Sequence, residues 1–196
     1  MVFHKYKLIV IGVPKNASSS IYDALKNLTD RAHDHETIID TYKNHDSDLV
    51  EHYTSLAVVR NPYDRFFSAC HQIRRDEPEN ANLTINEIIE LEGIAGEYTN
   101  DVFVPQYNYI SIGGKLLVDK LLKYENLEEE WKKFVKEFNQ TAQFPIQSYL
   151  PKSNASLGKI PWGEEVLTLS QDTLELINNK YTRDFAMFGY EKIEKI

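Results

Sequence analysis

The chain has 196 residues, 42% of them hydrophobic and 27% charged, enough to bury a core and too apolar for a disordered polymer. A formal net charge of −8 speaks against a general nucleic-acid binder, so any anion site needs a local basic patch working against the mean field. One cysteine, Cys70, excludes an internal disulfide, and no run of about 18 apolar residues offers a membrane span. These bounds predict a single domain over 1–196. The first strand starts almost at Met1, which leaves no room for a secretory leader and predicts a cytoplasmic location.

The first predicted element is the apolar run Leu8, Ile9, Val10, Ile11, a strand that stops at Gly12. A tight turn follows through Val13, Pro14, Lys15, Asn16 and Ala17, then Ser18, Ser19 and Ser20. Ile21, Ala24, Leu25 and Leu28 come next at the spacing of one helix face. A strand, a loop and a helix that starts on hydroxyls present backbone N–H groups, the positive end of the helix dipole and O–H donors. That combination suits a phosphate or a sulfate, with the Lys15 charge at its mouth. The Walker A pattern, G-x-x-x-x-G-K-[ST], is absent, because Gly12 is followed by Pro14-Lys15 with no Gly-Lys pair. An ordinary turn with Ser18 as N-cap is the other reading of this stretch.

The polar segment Thr29–Glu36 carries His33 and His35, and short helical turns are predicted at Thr37–Tyr42 and Asp48–His52. Ser55–Val59 reads as a buried parallel strand. Arg60-Asn61-Pro62 ends it and opens a helix with Tyr63, Phe66, Phe67 and Cys70 on one face. Ligands of open α/β sheets bind outside the carboxyl ends of strands, so Lys15 and Arg60 are aimed at the same rim. Thr84 and Glu87 form a capping-box pattern ahead of Ile88, Ile89 and Leu91. Phe103–Ile110 is aromatic and interrupted by Pro105, and Leu116–Leu122 is a strand candidate. Asn126 is expected to cap a helix bearing Leu127, Trp131, Phe134, Val135 and Phe138. Thr141–Gly163 is a long irregular stretch of the kind that tends to carry function. Ser170 caps a last helix with Leu174, Ile177 and Tyr181, and Asp184–Tyr190 is an apolar tail expected to dock on the core.

Two of these stretches resemble the sulfotransferase family. Pro14-Lys15-Asn16-Ala17-Ser18-Ser19-Ser20 is similar to its 5′-phosphosulfate loop, roughly P-K-x-[AG]-[ST]-[ST]-[ST]. Arg60-Asn61-Pro62-Tyr63-Asp64-Arg65-Phe66-Phe67-Ser68 resembles its 3′-phosphate motif, R-[DN]-P-x-x-R-x-x-S. Pro105-Gln106 with Tyr109, Tyr124-Glu125-Asn126-Leu127, and Asp184 with Phe188-Gly189-Tyr190 look like the carbohydrate (Golgi-type) branch. Ser19 stands where a threonine is common and Cys70 where that branch often has tyrosine.

The resemblance implies a P-loop-like three-layer α/β fold, a central, mostly parallel sheet flanked by helices. It implies 3′-phosphoadenosine 5′-phosphosulfate as donor, adenosine 3′,5′-bisphosphate as product and a carbohydrate or other hydroxyl-bearing acceptor. Lys15 and Ser18–Ser20, with Pro14, Asn16 and Ala17, would hold the phosphosulfate, and Arg60 with Ser68 the 3′-phosphate. Arg65 reaches the nucleotide or serves as a structural ion-pair partner. The acceptor hydroxyl needs a general base. His35 is the first candidate, His33 and Glu36 follow, and His52 and His71 are more distant ones. No metal is required, and His33-x-His35 alone is a weak ligand pattern. Tyr107, Tyr109, Tyr149 and Trp162 are candidate sugar platforms or core residues. Lys152 and Lys159 are candidate anion contacts or solvated charges. A binding protein of this fold without turnover and a P-loop kinase are the competing readings.

Overall fold

A computed structural model of the chain describes residues 1–25, 35–46, 50–94, 100–151 and 161–196. His33, Lys152, Lys159, the Leu28 end of the first predicted helix and part of Asp48–His52 lie outside them. The architecture is α/β, with a mixed central sheet, mostly parallel, flanked by helices. The chain forms two compact units, Met1–Arg60 with Gln106–Ser156, and Asn61–Pro105 with Leu157–Ile196. No helix among the described residues is long and apolar enough to cross a membrane.

The first unit holds the strands β1 (Val2–Phe3), β2 (Leu8–Ile11), β3 (Thr54–Val59), β4 (Ser111–Ile112), β5 (Lys115–Leu116) and β6 (Lys120–Lys123). The main sheet has the order β1-β2-β3-β6, with β1 antiparallel to β2 and the other pairs parallel. Leu8 pairs with Thr54 and Ile11 with Ala57, while Val59 pairs with Lys123, so β3 runs two residues beyond the end of β2. The alternation of a strand sends Leu8, Val10, Leu56, Val58 and Leu122 to one face. There they pack with Ile21, Leu25, Trp131, Phe134 and Val135 of α1 (Ser18–Leu25) and a helix at Leu127–Phe138. Ile9, Ile11, Ala57 and Val59, on the other face, are equally buried, which is why β2 and β3 read as continuous apolar runs.

The unit also contains α2 (Ile38–Asn44), whose N-cap Thr37 accepts from the Asp40 N–H at 3.1 Å. The predicted strand Leu116–Leu122 is two strands, β5 in a hairpin with β4, and β6 in the sheet. The break falls at Asp119, whose carboxylate accepts from the Ser55 N–H and hydroxyl, each at 2.7 Å. That pairing staples β6 to the start of β3. Asn126 does not cap the Leu127–Phe138 helix with its side chain; a 3-10 turn at Tyr124–Asn126 precedes the helix, and Glu130 accepts from the Lys123 N–H at 2.6 Å instead.

The second unit is helical among its described residues. It contains α3 (Pro62–Asp76), α4 (Ile85–Leu91), a single turn at Trp162–Glu165, and helices at Gln171–Lys180 and Thr182–Phe188. Pro62 at the first helical position and the Asn61 side chain accepting from the Tyr63 N–H start α3 as predicted. The Thr84–Glu87 capping box is complete. The apolar tail Asp184–Tyr190 is mostly helix, ended by Gly189 at φ 67, where a left-handed residue favours glycine. Tyr63, Phe66, Phe67 and Cys70 of α3 build this unit's core with Phe103, Leu174, Ile177, Tyr181 and Phe185. Cys70 is therefore a packing residue, and burial pushes its thiol far above the usual range.

Candidate active site

The loop from Gly12 to Ala17 leaves β2 at the carboxyl edge of the sheet, and two of its residues adopt left-handed backbone, Lys15 at φ 69 and Ala17 at φ 59. Non-glycine residues rarely do so, and such strain clusters where backbone N–H groups are turned toward a ligand. The Ala17 carbonyl accepts from the N–H groups of Ser20 at 3.0 Å and Ile21 at 3.2 Å. Ala17 is thus the N-cap, and Ser18 lies inside the helix and is not the cap of the alternative reading. The first N–H groups of α1 have no acceptor within the helix, and the dipole adds positive potential there.

Asn16 differs from a ligand-facing residue. Its side chain is only 1% exposed and turns under the loop, donating from Nδ2 to the Val58 carbonyl at 2.7 Å and to Gln106 Oε1 at 2.6 Å. It fastens the loop to β3.

Arg60 follows β3 directly and is 7% exposed. Its Nη1 donates to the Lys15 carbonyl at 2.9 Å. Its guanidinium carbon lies 4.0 Å from the centre of the Tyr124 ring, one residue past the end of β6. The carboxyl ends of three neighbouring parallel strands therefore supply the Lys15 loop, Arg60 and Tyr124 to one place. Lys15 and Arg60 are on one rim, where the Arg60 guanidinium meets the Lys15 backbone carbonyl. Tyr124 was visible only as part of a weak family echo, and nothing in its spacing announced a cation–π partner.

His35 reaches the same edge: its Nδ1 bonds to the carbonyl of Gly12, the residue after β2. A carbonyl oxygen only accepts, so Nδ1 carries the proton in this bond, and in a neutral ring Nε2 is the nitrogen with the lone pair. Glu36 is held instead by Asn44 at the end of α2, at 2.8 Å. His52 precedes β3 at its amino end, about 20 Å of strand from Arg60. His71 belongs to the second unit, where Nε2 lies 2.9 Å from Glu165.

Arg65 has backbone partners within its own unit. It is 1% exposed within the second unit and donates to the Val102 carbonyl at 3.0 Å and the Val104 carbonyl at 2.8 Å. Burial of Lys180 first, and the Arg65 charge second, hold the Lys180 ammonium below its usual pKa. Ser68 is buried on α3. Among the aromatic candidates, Tyr109 is core and Trp162 stacks on Tyr63 with ring centres 5.8 Å apart, so neither is a free platform. Tyr107 is half-buried, and Tyr149, 71% exposed, remains.

Fold and site together define an α/β protein with a strained loop at the carboxyl edge of a mostly parallel sheet. The model of the sulfotransferase family matches residues 1–191, and the chain belongs to that family. The family makes it a transferase of sulfuryl groups, with a hydroxyl-bearing acceptor. No curated protein and no solved structure matches the chain.

Proposed function

We propose that the chain moves a sulfuryl group from 3′-phosphoadenosine 5′-phosphosulfate to a hydroxyl of a carbohydrate. The observation that carries this reading is the meeting of the Lys15 loop with Arg60 at one strand edge, through the 2.9 Å bond from Arg60 Nη1 to the Lys15 carbonyl. The donor carries an anionic group at each end, and these residues fit both: Lys15 and the α1 start for the phosphosulfate, Arg60 for the 3′-phosphate. The use of a helix start for the anion is P-loop-like, without the Gly-Lys-[ST] signature.

The donor supplies an activated sulfur whose bond to the bridging phosphate oxygen breaks. Lys15 and the loop N–H groups stabilise the charge left on that oxygen. His35 Nε2 takes the acceptor proton as the new S–O bond forms. The attack is in line, as in phosphoryl transfer.

Thermal shift with adenosine 3′,5′-bisphosphate, set against ATP with magnesium, tests the site. Stabilisation by the bisphosphate supports the reading, and stabilisation by ATP–magnesium alone overturns it. Transfer of labelled sulfate from the donor to a glycan panel then separates an enzyme from a binding protein.

A further inference from the structure

Gln106 is fully buried, and its amide bonds to both of the segments that carry Lys15 and Arg60. Oε1 accepts from the Arg60 N–H at 2.9 Å and from Asn16 Nδ2 at 2.6 Å, and Nε2 donates to the Arg60 carbonyl at 2.9 Å. An amide side chain offers an acceptor and a donor side by side, so it pairs with both backbone groups of one residue as a neighbouring strand would. β2 has ended by then, and Gln106 takes the place of a ladder partner for Arg60. Asn16 carries the same role two residues earlier, at the Val58 carbonyl. The circuit closes where Arg60 Nη1 meets the Lys15 carbonyl.

We propose that Gln106 is a positioning residue that sets the spacing between the Lys15 loop and Arg60 without itself touching the ligand. This rests on the nucleotide reading above. Every bond in the circuit reaches a backbone or side-chain atom of a proposed anion-binding segment, so a change at Gln106 is transmitted to the ligand through two routes at once. A carboxylate in its place keeps the two accepted bonds, turns an oxygen toward the Arg60 carbonyl, and buries a charge beside an anion site.

The test is the isosteric variant Gln106→Glu, with adenosine 3′,5′-bisphosphate affinity measured by calorimetry on variant and parent between pH about 5 and about 8, the range over which a buried carboxyl with a raised pKa can regain its proton. At the upper end the variant is expected to bind about tenfold or more weakly than the parent, since the lost bond leaves a buried carbonyl facing a charge. The deficit shrinks as pH falls, because a protonated carboxyl again donates to the Arg60 carbonyl. An affinity ratio near one throughout, or a lowered melting temperature with unchanged affinity, overturns the proposal. A parent that does not bind the bisphosphate overturns the nucleotide reading and this one with it. If the glutamate variant does not fold, the cycle of Asn16→Ala, Gln106→Ala and the double variant decides. Losses in affinity that overlap in the double variant support one circuit, and additive losses overturn it.

Discussion

The Cβ of Ala17 sits on a residue at φ 59, a conformation that penalises any side chain and a β-branched one most. This gives a physical reason for the Ala or Gly of the loop pattern at this position. Ala17→Val is expected to destabilise the fold by about 1–3 kcal/mol and to weaken bisphosphate binding, measured by urea denaturation and calorimetry. Lys15 carries a different role. Lys15→Ala is expected to lower turnover by about 100- to 1000-fold, because it removes charge where charge develops. His35→Ala should abolish most turnover while leaving bisphosphate affinity near that of the parent, since its bond is to the Gly12 carbonyl at the start of the loop and not to Lys15, Ala17 or the start of α1. A His35→Ala variant with full kcat removes it as the base. Arg65 shows what a motif leaves open at this scale. Its spacing from Arg60 allows a nucleotide contact or a structural role, and its acceptors, the carbonyls of Val102 and Val104, lie 37 and 39 residues away and were invisible in the sequence.

At the scale of elements, α4 shows how a local pattern becomes a pH dependence. Thr84 donates its N–H to Glu87 at 2.7 Å and its hydroxyl at 2.8 Å, and these bonds, the backbone one first, hold the Glu87 carboxyl below its ordinary value of 4.5. A carboxylate with a depressed folded pKa contributes stability above the ordinary value, and that contribution is lost as pH falls through the folded one. Thr84→Ala is therefore expected to cost stability at neutral pH and progressively less below pH 4.5, read from urea midpoints across that range. Such devices were legible in the sequence because they span three residues. The strands β2 and β3 were legible because both faces are buried and the runs are apolar throughout. β1 was not, since a two-residue strand has no period to read, and Leu116–Leu122 misled because the Asp119 staple to Ser55 spans 64 residues. Gln106 and Tyr124 belong to the same class: their partners are set by strand order, which no local window contains.

At the scale of the whole molecule, each compact unit is built from two separate chain segments, so the backbone passes between them after Arg60, after Pro105 and after Ser156. A single cut after Ser156 leaves the first unit both its segments but divides the second, which no one cut releases whole. The second unit makes this concrete. Tyr181, deep in its core, donates its hydroxyl to the Phe103 carbonyl at 2.9 Å, and the Ile193 N–H donates to the Tyr63 hydroxyl at 2.8 Å, contacts that span 78 and 130 residues. Tyr63 also bonds to Asn178. A chain truncated to 1–156 keeps both segments of the sheet-bearing unit, yet strips Tyr63, Phe66, Phe67 and Phe103 of Val166, Leu174, Ile177, Tyr181 and Phe185. Each of those aromatic side chains loses burial worth about 1.5–3 kcal/mol, which together exceeds what a domain's net stability tolerates. The truncated chain is expected to be poorly soluble, to bind a hydrophobic dye and to show no cooperative melting transition. A soluble 1–156 fragment that melts cooperatively and is stabilised by adenosine 3′,5′-bisphosphate would show that the sheet and its anion loop stand without the helical unit. The aromatic face of α3 would then need another explanation for its burial.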